Sequence, residues 1–135
     1  MIGKLTGKVD TLEESWAILD VGGVGYQLSC SARTLRGMGQ VGDTTRVFVE
    51  TFIRDDRIVL YGFSDQAERD CFRILMTVQG VGARVALAIL SVLTPNELTQ
   101  AVIAQDKAAV SRANGVGAKV ALVNVVERRR SERLA

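Results

Sequence analysis

An eight-residue segment occurs twice in this chain. Gly80-Val81-Gly82-Ala83-Arg84-Val85-Ala86-Leu87 returns 35 residues later as Gly115-Val116-Gly117-Ala118-Lys119-Val120-Ala121-Leu122. Each copy is a tight G-V-G turn, one basic residue and an apolar helical stretch. Such a repeat calls for helices joined in pairs by short turns. Gly80 and Gly115 allow a turn with φ > 0 between two helices. Gly82 and Gly117 leave no side chain where an anion must approach the backbone. The N–H groups of Gly82, Ala83 and Arg84 then face one phosphate, and those of Gly117, Ala118 and Lys119 another. Arg84 and Lys119 add charge to the same oxygens. Two such sites suit a polymer of phosphates, gripped by its backbone without sequence readout. One G-x-G alone reads as an ordinary helix–helix turn with glycine at C′. A repeat that keeps its basic position favours phosphate binding.

The chain has 135 residues, 47% hydrophobic and 24% charged, enough for one domain or two small ones with a core. Aromatics make up 5%, too few for a single-strand binder built on base-stacking platforms. Net charge is +2, divided as −1 over residues 1–63 and +3 over residues 64–135. The repeat lies in the basic half, which weakly supports a polyanionic partner. The absence of histidine removes His-based catalysis and most zinc sites. Cys30 and Cys71 stand far apart and read as buried free thiols in a reducing compartment. Neither a secretory signal nor 18 uninterrupted apolar residues occurs, so a cytoplasmic protein without a membrane span is expected. No metal and no cofactor is called for, and no P-loop motif is present.

The pattern changes period at residue 64. Before it, short alternating runs at 2–9, 16–21, 26–30, 46–54 and 57–63 read as strands, separated by turn signals such as Gly22-Gly23 and Asp55-Asp56. Residues 32–38 read as a short helix. Five strands and a small helix fit a β-barrel of oligonucleotide-binding type, with an open sandwich as the competing arrangement. Beyond it, Asp65-x-x-Glu68 has the form of a capping box, and Ala67, Cys71, Phe72, Leu75 and Met76 recur at helical spacing. Thr94-Pro95-x-Glu97 is a stronger helix start. Helices are expected near 65–77, 83–92, 95–104, 106–112 and 118–130, with a frayed tail from Arg128. The fold class is therefore α+β in two domains, a barrel over residues 1–63 and an all-helical module over 64–135. No linker rich in Pro or Ser separates them, so the halves are expected to pack together. Trp16, Phe63, Leu75, Val85, Leu87 and Leu90 are assigned to core or interface.

The Arg54-Asp55-Asp56-Arg57 segment is first a turn, since aspartates are common there. A metal-dependent nuclease would need more converging carboxylates than the sequence offers. Two functional alternatives stay open on the residues alone. One is a helix-hairpin-helix nuclease or glycosylase using Asp55, Asp56 or a lysine. The other is a structural oligomer whose turns bind nothing.

Together these motifs resemble the RuvA family of bacterial Holliday-junction proteins. The likeness runs from Met1-Ile2-Gly3-Lys4-Leu5-x-Gly7 through Val21-Gly22-Gly23-Val24-Gly25-Tyr26, Arg54-Asp55-Asp56, Leu60-Tyr61-Gly62-Phe63 and the stretch from Gln79 to Leu90. It implies a flat four-fold homotetramer, with an octamer left open, built on central barrels. Helix-hairpin-helix pairs would grip the four duplex arms of junction DNA. Asp55 and Asp56 would form an acidic pin, repelling phosphates at the crossover. The chain itself would be non-catalytic, and a partner ATPase, RuvB, would drive branch migration. The family continues into a third small helical domain that contacts RuvB, and this sequence stops before it. The second repeat also departs from the family, with Asn114 in place of proline and a different helix after Leu122.

Overall fold

A computed structural model describes residues 1–105 of the chain. Two compact units divide it, Met1–Asp70 and Cys71–Ala135. The expected helices near 106–112 and 118–130, and with them the whole second hairpin, lie outside the described residues.

The first unit is a closed barrel. Its strands are β1 (Lys4–Leu12), β2 (Trp16–Val21), β3 (Val24–Cys30), β4 (Thr44–Arg54) and β5 (Arg57–Phe63), with α1 (Ala32–Gly37) between β3 and β4. Neighbours run in the order β1-β2-β3-β5-β4, and β4 closes on β1. Every contact is antiparallel except a short parallel pairing of β3 with β5, at Ser29↔Tyr61 and Cys30↔Gly62. This is the oligonucleotide-binding arrangement rather than the open sandwich. Closure leaves no long sheet edge to template another strand.

Alternation in the sequence builds the interior. Leu5 and Val9 on β1, Ala17 and Leu19 on β2, Leu28 and Cys30 on β3, and Val47 and Val49 on β4 point inward at period two. Leu35 of α1 and Met38 beside it complete that core. Ser31 caps α1, accepting the N–H of Thr34 at 3.1 Å. β1 continues three residues past the expected end, to Leu12, because a bulge between Val9 and Thr11 lets it bend and keep pairing with β2. A strict period-two reading breaks at that extra residue. Burial pushes the Cys30 thiol up to about 12.

The helices follow as α2 (Gln66–Met76), α3 (Ala83–Val92) and α4 (Pro95–Gln105). On α2 the apolar spacing buries Phe72 and Leu75, whereas Ala67 is exposed and Cys71 is half-buried. On α3 the buried residues are Ala86, Ile89 and Leu90, with Val85 and Leu87 half-buried rather than fully in the core. At α4 the capping box closes in both directions. The Glu97 N–H donates to Thr94 Oγ1 and the Thr94 N–H donates to Glu97 Oε1, each at 3.0 Å. No helix among the described residues is long and apolar enough to cross a membrane.

Candidate nucleic-acid interface

The β4–β5 hairpin carries Asp55 and Asp56 at its apex. Its ladder runs from Phe48↔Phe63 to Arg54↔Arg57, leaving a two-residue loop. The β1 register with β4 stops at Phe48, and the Thr51 hydroxyl donates to the Ile2 carbonyl at 3.1 Å. Beyond Thr51, among the described residues, the ribbon's strands pair with each other alone, so it stands out from the barrel wall. Phe52 and Tyr61 brace it edge to face, with ring centroids 5.6 Å apart. Both loop residues have positive φ, 46° at Asp55 and 65° at Asp56. That is the conformation a two-residue hairpin turn requires, and it favours Asn-Gly or Gly-Gly. The β2–β3 hairpin makes the same kind of turn with Gly22 and Gly23, at φ 61° and 93°. The β4–β5 tip therefore holds two carboxylates where glycine would be easier. The residues around them are Arg54 and Arg57, opposite each other in register, and Ile53 and Ile58, 75% and 70% exposed. The isoleucines were not singled out from sequence. Their only signal is the continuation of the inward-facing phase of each strand past the end of the barrel.

The first G-V-G turn joins α2 to α3 in the second unit. Thr77 and Val78 N–H groups bond back to Ile74 and Leu75 carbonyls at 3.0 and 3.1 Å, tightening the end of α2. The Val81 N–H then reaches the Val78 carbonyl at 3.1 Å. Val81 is buried, while Gly80 and Gly82 on either side are exposed. Gly80 has φ 83°, the left-handed region expected of it. Gly82 is the N-cap of α3 with φ −93° and ψ −179°, an extended backbone open to any residue, and it supplies no side-chain cap. A Cβ placed on Gly82 would meet nothing within 4 Å. Among the described residues neither backbone conformation nor packing calls for glycine there, beyond its ordinary suitability as an N-cap. The first turn of α3, with Ala83 and exposed Arg84, thus presents backbone N–H groups and a cation to solvent. The second set, Gly115, Gly117, Ala118 and Lys119, lies outside the described residues.

A buried polar cluster escaped the sequence reading. Glu68 is 2% exposed and accepts a hydrogen bond from Thr34 Oγ1. The Ser31 and Ser64 hydroxyls donate to that same Thr34 oxygen, at 3.1 and 3.2 Å. The expected capping box at α2 is therefore only half formed. The Glu68 N–H donates to Asp65 Oδ1 at 2.8 Å, but the Glu68 carboxylate turns inward to Thr34, and its backbone hydrogen bond is at Ser64 rather than at the cap residue Asp65. Its pKa is pushed up, first by burial and then by Asp65, against the opposing pull of Thr34. A period argument cannot foresee a partner 34 residues away. Among the described residues no three His, Cys, Asp or Glu side chains converge as metal ligands.

Comparison with known proteins divides the chain along similar lines. Residues 1–62 match the family described as RuvA N terminal domain, and residues 72–122 match the SAM-like helix-hairpin-helix tandem. The Holliday junction branch migration complex subunit RuvA of Sinorhizobium medicae is 53% identical over 127 residues, covering 94% of this chain and 62% of that protein. The subunit of the same name from Brucella anthropi is 56% identical over 121 residues, covering 90% of this chain and 59% of its own length. That from Rhodopseudomonas palustris is 55% identical over 121 residues, with the same coverage of 90% and 59%. The chain thus spans about three-fifths of the length of these curated relatives.

Proposed function

The chain belongs to the RuvA family, and from that membership we propose that it binds four-way DNA junctions through their shape and phosphates, as a non-catalytic scaffold subunit of a branch-migration complex. The observation that carries the reading is Gly82. It sits exposed at a helix start without a side-chain cap, close to Arg84, and no contact among the described residues requires it to be glycine. A phosphate seated on the α3 N-terminus would require it, because a side chain would stand in the approach. Gly80, Gly82, Ala83 and Arg84 form the first grip in this reading, and Gly115, Gly117, Ala118 and Lys119 the second.

Asp55 and Asp56 form the pin. Duplex running straight across the tip would bring phosphates against two carboxylates, whereas an opened crossover leaves room for them. Several copies are needed to hold four arms, so the assembly is read as a homotetramer around the junction, with a RuvB-type ATPase as the motor. The barrel, residues 1–63, serves as the assembly and junction-centre domain, and residues 64–135 as the DNA-binding domain. The relatives named above are subunits of a branch migration complex, which accords with partners of both kinds.

The test is a gel-shift competition at fixed salt between an immobile four-way junction and linear duplex of matched length and sequence. The expected result is strong preference for the junction with no cleavage in magnesium. Equal binding would overturn the pin, and magnesium-dependent cutting would overturn the scaffold reading.

A further inference from the structure

Outside the hairpins and the tip, one face of the barrel carries cations that the fold leaves unspent. On β1, Leu5 and Val9 point inward, so Lys4, Thr6 and Lys8 point out, and all three are exposed. On β4, Val47 and Val49 point inward, so Arg46, Phe48 and Glu50 point out, and Glu50 is already engaged in an interaction of its own. The register sets Lys4 beside Phe48 and Thr6 beside Arg46. Arg69, from α2, comes to the same ring. Its guanidinium carbon lies 5.4 Å from the Phe48 centroid, and that of Arg46 lies 5.7 Å from it. Stacking on an aromatic ring uses the π face of a guanidinium and leaves its in-plane N–H groups available. Those groups are little used here. The Lys4 and Arg46 side chains make no hydrogen bond or ion pair among the described residues. Among the described residues the Arg69 guanidinium makes one hydrogen bond, from Nη1 to the Gly3 carbonyl at 3.4 Å; its Nε is buried, so the terminal nitrogens are the ones that could meet a phosphate. Lys8 continues the row but faces Asp20 in register, so its charge is partly offset.

We propose that the Lys4–Arg46–Arg69 face is a second phosphate-binding surface for duplex DNA, in a different compact unit from the helical hairpins. Three cations with unspent donors complement a polyanion. The fork of a stacked arginine suits phosphate oxygens, because its orientation is set before binding. The inference rests on the junction-binding reading above and assigns the barrel a grip on DNA in addition to the hairpins. The aromatic here orients arginines and does not stack a base, so the contact ignores sequence.

The test compares the full chain with its Lys4→Gln, Arg46→Gln double variant, by anisotropy titration on a four-way junction and on linear duplex. Each titration runs from about 50 to 200 mM salt, where phosphate contacts dominate the salt response. The expected result is a salt slope shallower by roughly one to two per chain on both DNAs, since each lost phosphate contact removes about one. Arg46→Lys retains the charge and should keep the parental slope with a smaller loss of affinity. Both positions are on exposed side chains, and an unchanged thermal melt checks that the fold is kept. Parallel slopes for parent and double variant would overturn the proposal. So would a change in sedimentation of the DNA-free protein, which would make the face a contact between subunits. If the parent shows no junction preference, the junction reading fails, but the slopes on linear duplex still decide this face.

Discussion

At Gly80 the backbone stands at φ 83°, and two residues on, at Gly82, it is extended at φ −93°. The same residue type answers to different physics at the two positions. The turn holds residue 80 in the left-handed region, which a Cβ disfavours by about 1 kcal/mol or more. At Gly82 two small terms oppose each other. Alanine is a poorer N-cap than glycine by about 0.5 kcal/mol or more, yet it restricts the unfolded chain and returns about 0.4–1 kcal/mol. Gly82→Ala is thus expected to unfold within about 0.5 kcal/mol of the parent, while Gly80→Ala is destabilised by about 1 kcal/mol. Binding should invert the order of concern. A methyl group at an exposed helix start obstructs a phosphate, so Gly82→Ala should lose roughly tenfold in junction affinity, about 1.4 kcal/mol. Chemical denaturation and a binding titration on the two variants check both statements. Parental affinity in Gly82→Ala would mean that no backbone phosphate contact is made there.

The elements show where local signals suffice. Thr94-Pro95-x-Glu97 contains the whole of its capping geometry in four residues, and the two reciprocal bonds form as that spacing implies. The bounds of α3, Ala83–Val92, were likewise legible, because a glycine N-cap and an apolar stripe are local. Asp65-x-x-Glu68 shows the limit. Its first bond is local and forms, but its second competes with a hydroxyl cluster from α1 and the end of β5, which tertiary structure alone brings near. The bulge in β1, and the exposure of Ile53 and Ile58 past the barrel rim, were hidden for the same reason. The inward turn of Glu68 has a pH consequence. Its folded pKa lies above the ordinary 4.5, so between those values the folded chain binds more protons than the unfolded one. The stability Glu68 contributes is therefore full below pH 4.5 and declines as pH rises through the raised value. Asp65 opposes its ionisation and Arg33 favours it, and both remain in the comparison. Glu68→Gln keeps an acceptor for Thr34 and removes the titration. The variant should gain stability relative to the parent as pH rises from about 4 towards 8, as the linkage relation requires. Parallel stability profiles for the two proteins over that range would remove the buried-carboxylate account.

For the whole molecule, the question is why the β4–β5 tip keeps a turn that its own chemistry disfavours. Left-handed backbone costs a non-glycine residue about 1–2 kcal/mol, less for aspartate, and a domain is stable by only about 5–15 kcal/mol. Two such residues at one exposed tip are a measurable fraction of that margin. Gly22 and Gly23 show that the same barrel can make a turn of this kind with glycines. On the proposed reading, the aspartates are retained for their charge. A carboxylate about 8 Å from a phosphate in water is repelled by about 0.5 kcal/mol, small for one pair but additive over two aspartates in each of several copies around a junction. Fold stability and junction discrimination are thus set against each other at one turn. Asp55→Asn with Asp56→Gly separates them, because Asn-Gly is the favoured pair for this turn and carries no charge. The double variant is expected to be more stable by about 1 kcal/mol and to bind linear duplex nearly as well as the junction. Urea denaturation reads the first effect and the gel-shift competition the second. A gain in stability with discrimination intact would show that the charges do nothing at the crossover. Lost discrimination without a gain would leave the pin standing and show that the turn holds little strain.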